Sequence, residues 1–224
     1  MKITWLGQAG LLFEKDSLTI LIDPYLSDSV AKINPQNSRR IPVDEKFLHI
    51  NPDVIICTHN HLDHTDPDTL CHYLKGKKSV LVLAPQTAWQ EVRKFGGPHN
   101  YIRFNRHTEF TYQGILFKAV LAEHTDEHPI GVIIEDGKKR YYITGDTLYN
   151  TDIFEDIPPH IDVLFLPVNG VGNNMNMDDA ARFSEKINPG KVVPLHCGLF
   201  DDIDMNNFLP ANKVVPVIYE EIIL

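Results

Sequence analysis

The sequence predicts an α/β fold of two mixed sheets packed face to face, with helices on the outer faces. Three observations carry that expectation. The first two dozen residues hold three short apolar runs separated by Gly7 and by Glu14-Lys15-Asp16, the pattern of an antiparallel meander. Apolar strand-like runs then alternate with segments of helical composition, as in strand–helix units. The second half restarts the same order, so the chain reads as a coarse duplication. A chain of 224 residues is long enough to bury one substantial core, as one domain over 1–224 or two fused half-domains.

Taken in order, residues 3–6, 9–13 and 18–22 are the opening strands, and Asp23-Pro24 closes the third. Residues 25–50 lack periodicity, and Asn34, Pro35, Asn37, Ser38 and Pro42 mark them as a long loop. That loop carries Arg39-Arg40, an adjacent pair whose guanidinium groups suit a phosphate or carboxylate if the loop borders a cleft; a solvated basic pair is the plainer alternative. Val54-Ile55-Ile56-Cys57 reads as a buried strand. Asp66-Pro67-Asp68 starts a helix through Leu74, with Pro67 suited to the first turn. A strand over 79–84, a helix over 85–95 ended by Gly96-Gly97, and strands over 101–104, 110–112 and 115–121 follow, with Gln113-Gly114 as a turn.

Residues 131–135 and 140–144 form a hairpin across Asp136-Gly137-Lys138-Lys139. Then come a strand over 162–166, a helix over 177–187 capped by Asn176, and a strand over 191–195. The expectation for the remainder is a last helix over 202–208 and a closing strand pair over 214–224.

The strand at 54–57 leads into Thr58-His59-Asn60-His61-Leu62-Asp63-His64-Thr65-Asp66. If the extended conformation persists, His59 and His61 share a face, because strand side chains repeat every two residues. Asp63 and His64 then fold back from the turn beyond. Neutral imidazole and carboxylate are ligand types that zinc accepts, and manganese or iron also use them. A surface loop rich in histidine is the competing reading, but it gives no reason for this spacing at a strand end.

His-x-His-x-Asp-His after a strand is the signature of the metallo-β-lactamase superfamily, and this sequence resembles its members. The branch it resembles is that of the metal-dependent hydrolases that include ascorbate-6-phosphate lactonase. Asp23-Pro24-Tyr25-Leu26-Ser27, Leu166-Pro167-Val168-Asn169-Gly170, Asn174-Met175 and Pro194-Leu195-His196 carry the likeness to that branch. The chain departs from it by being shorter and by having few residues between Gly170 and Asn174.

The resemblance implies the αββα metallo-β-lactamase sandwich and one or two divalent metal ions, zinc or manganese. It implies that His59, His61 and His124 hold one metal, that Asp63, His64 and His196 hold the other, and that Asp146 bridges them. His124, Asp146 and His196 each follow an expected strand. His128 is a rival for the place of His124 or a polar group near substrate. Asn169 and Asn174 either touch substrate or make turns. Cys57 and Cys197 flank presumed ligands and read better as small buried apolar residues. Relatives that reduce oxygen or nitric oxide at a diiron centre place a glutamate where this chain has His61, so the resemblance favours hydrolysis.

Two divalent ions about 3.5–4 Å apart share a water and lower its pKa toward neutrality, so a metal-bridged hydroxide is available to attack a carbonyl or phosphoryl centre. Asp63 is placed to orient that nucleophile. The expected enzyme is therefore a metal-dependent hydrolase acting on a small, anionic ester or lactone, with a sugar-phosphate lactone as the example. A phosphodiesterase or nuclease using the same dinuclear centre is the alternative, as is a non-catalytic metal-binding protein. The net charge of −9 argues against a nucleic-acid partner. No apolar run approaches membrane-spanning length, so no membrane is expected. The start, Met1-Lys2-Ile3-Thr4, makes a poor signal peptide, and three cysteines show no paired spacing. A cytoplasmic setting is expected, and by resemblance to related lactonases a homo-oligomer.

Overall fold

The opening meander forms because each apolar run alternates sides of one sheet. In the computed structural model, which describes residues 1–76 and 78–224, β1 (Lys2–Gly7), β2 (Gly10–Lys15) and β3 (Leu18–Ile22) pair antiparallel. Three parallel strands extend the sheet: β4 (Val54–Ile56), β5 (Leu81–Ala84) and β6 (Asn100–Arg103). The second sheet repeats this design. β7 (Glu109–Tyr112), β8 (Ile115–Leu121), β9 (Ile130–Glu135) and β10 (Arg140–Ile143) run antiparallel, and β11 (Val163–Pro167) and β12 (Lys191–Leu195) join parallel. Both sheets are six-stranded and mixed, in the orders β1-β2-β3-β4-β5-β6 and β12-β11-β10-β9-β8-β7.

Period-two alternation decides which face each residue serves. Ile20, Ile22, Val54, Ile56, Leu81 and Leu83 belong to the core shared with the second sheet, while Leu21, Ile55, Val82 and Ala84 pack under the helices. Across the shared core, Phe13 of β2 meets Tyr141 and Phe165 edge-on, at ring separations of 5.6 and 6.0 Å. Helices α1 (Pro67–Leu74) and α2 (Gln86–Val92) cover the first sheet. Helix α3 (Met177–Ile187) joins β11 to β12, and its buried Ala180 and Phe183 belong to the shared core. Asp66 caps α1 by accepting from the amides of Asp68 and Thr69, and Asn176 caps α3 by accepting from Asp179. Among the described residues no helix is long and apolar enough to cross a membrane.

Two expectations near the C-terminus are corrected. Only one 3-10 turn, Met205–Asn207, forms where a helix over 202–208 was expected. The carboxylates of Asp201 and Asp204 capture the nearby amides of Ile203 and Asn206, which competes with helical pairing. Residues 214–224 do not make a strand pair either. They form a strap across two sheet edges, the amide of Val214 bonding Val192 of β12 and that of Ile222 bonding Ile3 of β1. Pro216 offers no N–H, and Tyr219 sits at φ 65, so neither supports a continuous ladder. The strap covers edges that would otherwise invite pairing with another chain.

Asp156 fastens the second sheet's loops. Its carboxylate accepts from Arg106 Nε at 2.7 Å, from His107 Nε2 at 3.0 Å and from the Leu121 amide at 2.8 Å. Burial opposes its charge, but the Arg106 guanidinium and the Leu121 amide outweigh that and hold its pKa at about 2. Because the folded value lies below the ordinary 3.8, this stabilisation is present above about pH 4 and drains away as pH falls toward 2. Asp156→Ala is expected to cost about 2 kcal/mol at pH 7 and much less at pH 3. Urea denaturation at the two pH values measures the difference.

Candidate metal centre

Strand ends deliver the site's side chains. In a parallel sheet the chain leaves the carboxyl ends of the strands together, so groups just beyond them meet in one crevice. Asp23 follows β3, His59 follows β4, His124 follows β8, Asp146 follows β10, Asn169 follows β11 and His196 follows β12. The seven expected ligands converge there. Ligand atoms of His59, His61 and His124 lie within 4.8 Å of one another, as do those of Asp63, His64 and His196. Asp146 joins His59 and His64 in a third such group, which places it between the other two.

The route to this arrangement differs from the expected one. The strand stops at Ile56, and the amide of Thr58 turns instead to Asp23 Oδ1 at 2.7 Å. The amides of His64 and Thr65 both bond the carbonyl of His61, so a tight turn follows His61, and the rings of His61 and His64 each lie against that of His59. Strand periodicity therefore does not align His59 with His61.

Four of the five imidazoles have a partner outside the ligand set at Nδ1. His64 Nδ1 meets Asp23 Oδ2 at 2.8 Å and His59 Nδ1 meets Thr58 Oγ1 at 3.1 Å. His124 Nδ1 meets the Asn173 carbonyl at 3.2 Å. His196 Nδ1 is flanked by the amides of Asn169 and Gln8, at 3.2 and 3.4 Å. The acceptors at Nδ1 of His64, His59 and His124 fix the proton there and free the second nitrogen for a metal. Two buried atoms of the cluster, His59 Nε2 and Asp146 Oδ1, have no hydrogen-bond partner, which is the condition expected of groups that wait for an ion.

The electrostatics point the same way. Asp23, Asp63 and Asp146 cluster with imidazoles and have no Lys or Arg within ion-pairing distance among the described residues. Burial raises the carboxyls of Asp63 and Asp146, yet His64 and His196 outweigh it and hold both well below the usual range. Burial likewise opposes charge on His64 and His196, but the surrounding carboxylates raise His64 well above its ordinary value and His196 to about 10. Burial pushes His59 and His124 down. Buried charges of this kind are paired or coordinate metals, and the His/Asp groups here could hold a metal ion.

Gly145 sets the position of Asp146. It sits at φ 62, and a Cβ there would lie 2.8 Å from the Ile130 carbonyl oxygen and 3.0 Å from Thr58 Cβ. Neither neighbour is a flexible side-chain end. Gly145→Ala is expected to destabilise by about 3 kcal/mol, combining left-handed strain with overpacking. It is also expected to weaken metal binding through Asp146; denaturation and metal titration of the variant measure the two effects.

Of the expected substrate contacts, Asn169 and Asn174 line the cleft of about 630 Å³ that holds Asp63, Asp146 and His196. Arg39 and Arg40 do not. Arg39 donates to the Tyr25 carbonyl at 2.8 Å and the Tyr219 hydroxyl at 2.6 Å, tying the long loop to the C-terminal strap. Arg40 pairs with Asp202. His128 belongs to none of the three ligand groups; it lines a neighbouring cavity together with His124, Glu123, Asp126 and Arg106. Cys57 and Cys197 are buried apolar neighbours, and all three cysteines are free.

Sequence reasoning missed Gln8, Asp23 and Thr58 as parts of the centre. Gln8 donates to Asp63 Oδ2 at 3.1 Å from a left-handed backbone position, φ 46, in the turn between β1 and β2. Nothing in its local pattern marks it. The Asp23-Pro24 strand ending was the one available signal for Asp23.

Comparison with known proteins agrees with this picture. Residues 19–197 match the family model described as the beta-lactamase superfamily domain. A UPF0173 protein of Pyrococcus furiosus is 31% identical, the match covering 93% of this chain and 89% of that one. A UPF0173 metal-dependent hydrolase of Carboxydothermus hydrogenoformans is 30% identical, covering 97% and 94%. The fold also resembles that of a metallo hydrolase from the archaeon Ignicoccus hospitalis, with a TM-score of 0.78 at 22% identity over 99% of this chain and 97% of that one.

Proposed function

Since this chain belongs to the beta-lactamase superfamily domain family and to its UPF0173 metal-dependent hydrolases, we propose that the reaction it catalyses is hydrolysis of a small ester or lactone. One observation carries the reading: three overlapping His/Asp groups share a centre beside a cleft of about 630 Å³, with His59 Nε2 and Asp146 Oδ1 buried and unpartnered.

His59, His61 and His124 would hold one ion, Asp63, His64 and His196 a second, with Asp146 between them. Imidazole and carboxylate suit zinc or manganese. Bound there, such ions would supply Lewis acidity and lower the pKa of water toward neutrality. Asp63 contacts Gln8 and His196 through Oδ2, which leaves Oδ1 to accept a proton from the attacking water. Asp23 and Thr58 hold His64 and His59 in orientation, and Asn174 donates to Asp146 Oδ2 at 2.9 Å and steadies it. Cys57, Cys71 and Cys197 are free, which supports a reducing, cytoplasmic setting.

The test is metal analysis of protein purified without added metal, coupled to a screen of esters, lactones and bis-p-nitrophenyl phosphate. One to two equivalents of ion and turnover of an ester or lactone are expected. A preference for the phosphodiester would replace this reading with a phosphodiesterase, a reading the cleft does not favour because its lining includes no Lys or Arg.

A further inference from the structure

We propose that Asn169 is the positioning residue of His196: its side-chain carbonyl accepts from His196 Nδ1 and so commits Nε2 to an ion. The inference rests on the metal-binding part of the hydrolytic reading and concerns one ligand group, that of Asp63, His64 and His196. An imidazole that gives Nε2 to an ion keeps its single proton on Nδ1, and that N–H needs an acceptor when it is buried. His59, His64 and His124 each meet an oxygen there, from Thr58, Asp23 and Asn173. His196 meets two side-chain amides instead, Asn169 at 3.2 Å and Gln8 at 3.4 Å. Its Nε2 is the atom turned to the centre, 3.3 Å from Asp63 Oδ2 and 3.2 Å from Asp146 Oδ2.

Donor and acceptor roles decide between the two amides. Gln8 Nε2 also lies 3.1 Å from Asp63 Oδ2, and a carboxylate only accepts, so this end of Gln8 is held as the nitrogen. The Asn169 side chain has no such commitment. Its Nδ2 faces His196 Nδ1, and its Oδ1 is buried without a partner. A half-turn of the amide about χ2 exchanges the two ends without changing the shape of the side chain. That turn brings an acceptor to the His196 N–H in place of a second donor, as buried polar groups require. The backbone on both sides of Asn169 is fixed, the Val168 amide bonding the Leu195 carbonyl at 3.3 Å and the Gly170 amide that of Met175 at 3.0 Å. The His196 amide is held as well, donating to the Gln8 carbonyl at 3.1 Å. Asn169 thereby serves a metal ligand rather than the substrate.

The experiment titrates zinc against a competing chelator in the parent, Asn169→Ala and Asn169→Asp, and records proton–nitrogen correlation spectra of the histidine rings in the zinc-loaded parent. Asn169→Ala is expected to hold the ion at the Asp63, His64 and His196 group about 10- to 100-fold more weakly, with the His59, His61 and His124 group unchanged. Asn169→Asp, whose carboxylate can only accept, is expected to match the parent. In the zinc-loaded parent the His196 ring proton is expected on Nδ1. Parent-like affinity in Asn169→Ala overturns the proposal. So does equal weakening in the two variants, which would assign the effect to the amide nitrogen. If Asn169→Ala does not fold, a His196 proton found on Nε2 in the zinc-loaded parent overturns the proposal by itself. None of these readouts uses turnover, so such a failure leaves hydrolysis standing. A parent that binds no ion at this group instead counts against the metal-dependent reading and takes the proposal with it.

Discussion

Chelation is expected to reduce hydrolysis by at least about 10³-fold, with activity returning on addition of zinc or manganese. The magnitude follows from a Lewis-acid contribution of several kcal/mol to the transition state, at 1.36 kcal/mol per tenfold in rate. Stability should fall as well. Imidazoles are the only cationic partners of Asp23, Asp63 and Asp146 among the described residues, so the metal-free protein retains buried carboxylates whose charge compensation depends on protons held by His64 and His196. An ion present at about 1,000 times its Kd stabilises the folded state by about 4 kcal/mol. For a chain of this size that corresponds to roughly 8–16 °C in Tm. His61→Ala should reproduce the activity loss while affecting one ligand group, because His61 belongs to the group with His59 and His124 and not to the other two. The measurements are chelator titration of turnover and thermal unfolding with and without metal. Full turnover in a thoroughly demetallated His61→Ala protein would remove the ions from the mechanism.

The sequence made several of the expected ligands legible because they follow strands, where an apolar run gives way to a polar side chain, and the family resemblance supplied the rest of the set. His59 after Val54-Ile55-Ile56 and His196 after Val192-Val193-Pro194-Leu195 are visible in this way. The supporting residues were not. Gln8 reaches Asp63 across 55 residues of sequence from a turn whose backbone sign no pattern encodes. Asn169 was read as a turn residue or a substrate contact, and its contact with His196 Nδ1 depends on β11 and β12 being neighbours. The misread segments have different causes: residues 202–208 are held by local contacts from Asp201 and Asp204 to nearby amides, whereas residues 214–224 are shaped by contacts remote in sequence, with the edges of β1 and β12. Local patterning thus predicted both meanders and all three long helices, and failed where side-chain capture of amides or tertiary contacts overrule it.

Asp23 is the residue through which that hidden layer can be tested. Its fully buried carboxylate receives the Thr58 amide at 2.7 Å, the Thr58 hydroxyl at 2.6 Å and faces His64 Nδ1 at 2.8 Å. It therefore fixes both the start of the ligand loop and the orientation of one ligand. Asp23→Ala strips an acceptor from three buried donors, each unsatisfied group costing about 1–3 kcal/mol. Its backbone lies at φ 43, which aspartate tolerates better than alanine. A loss of about 4–5 kcal/mol is expected, together with a 10- to 100-fold weaker ion at the Asp63, His64 and His196 group. Asp23→Asn separates the two effects. Its amide oxygen can still accept from Thr58, so most of the stability should return. Its NH₂ end, however, meets a ring nitrogen that must itself donate when the other nitrogen binds metal, so the affinity should not return. Urea denaturation of the metal-free variants and competitive metal titration measure the two quantities independently. Parent-like affinity in Asp23→Asn would mean that His64 is oriented by something other than this carboxylate.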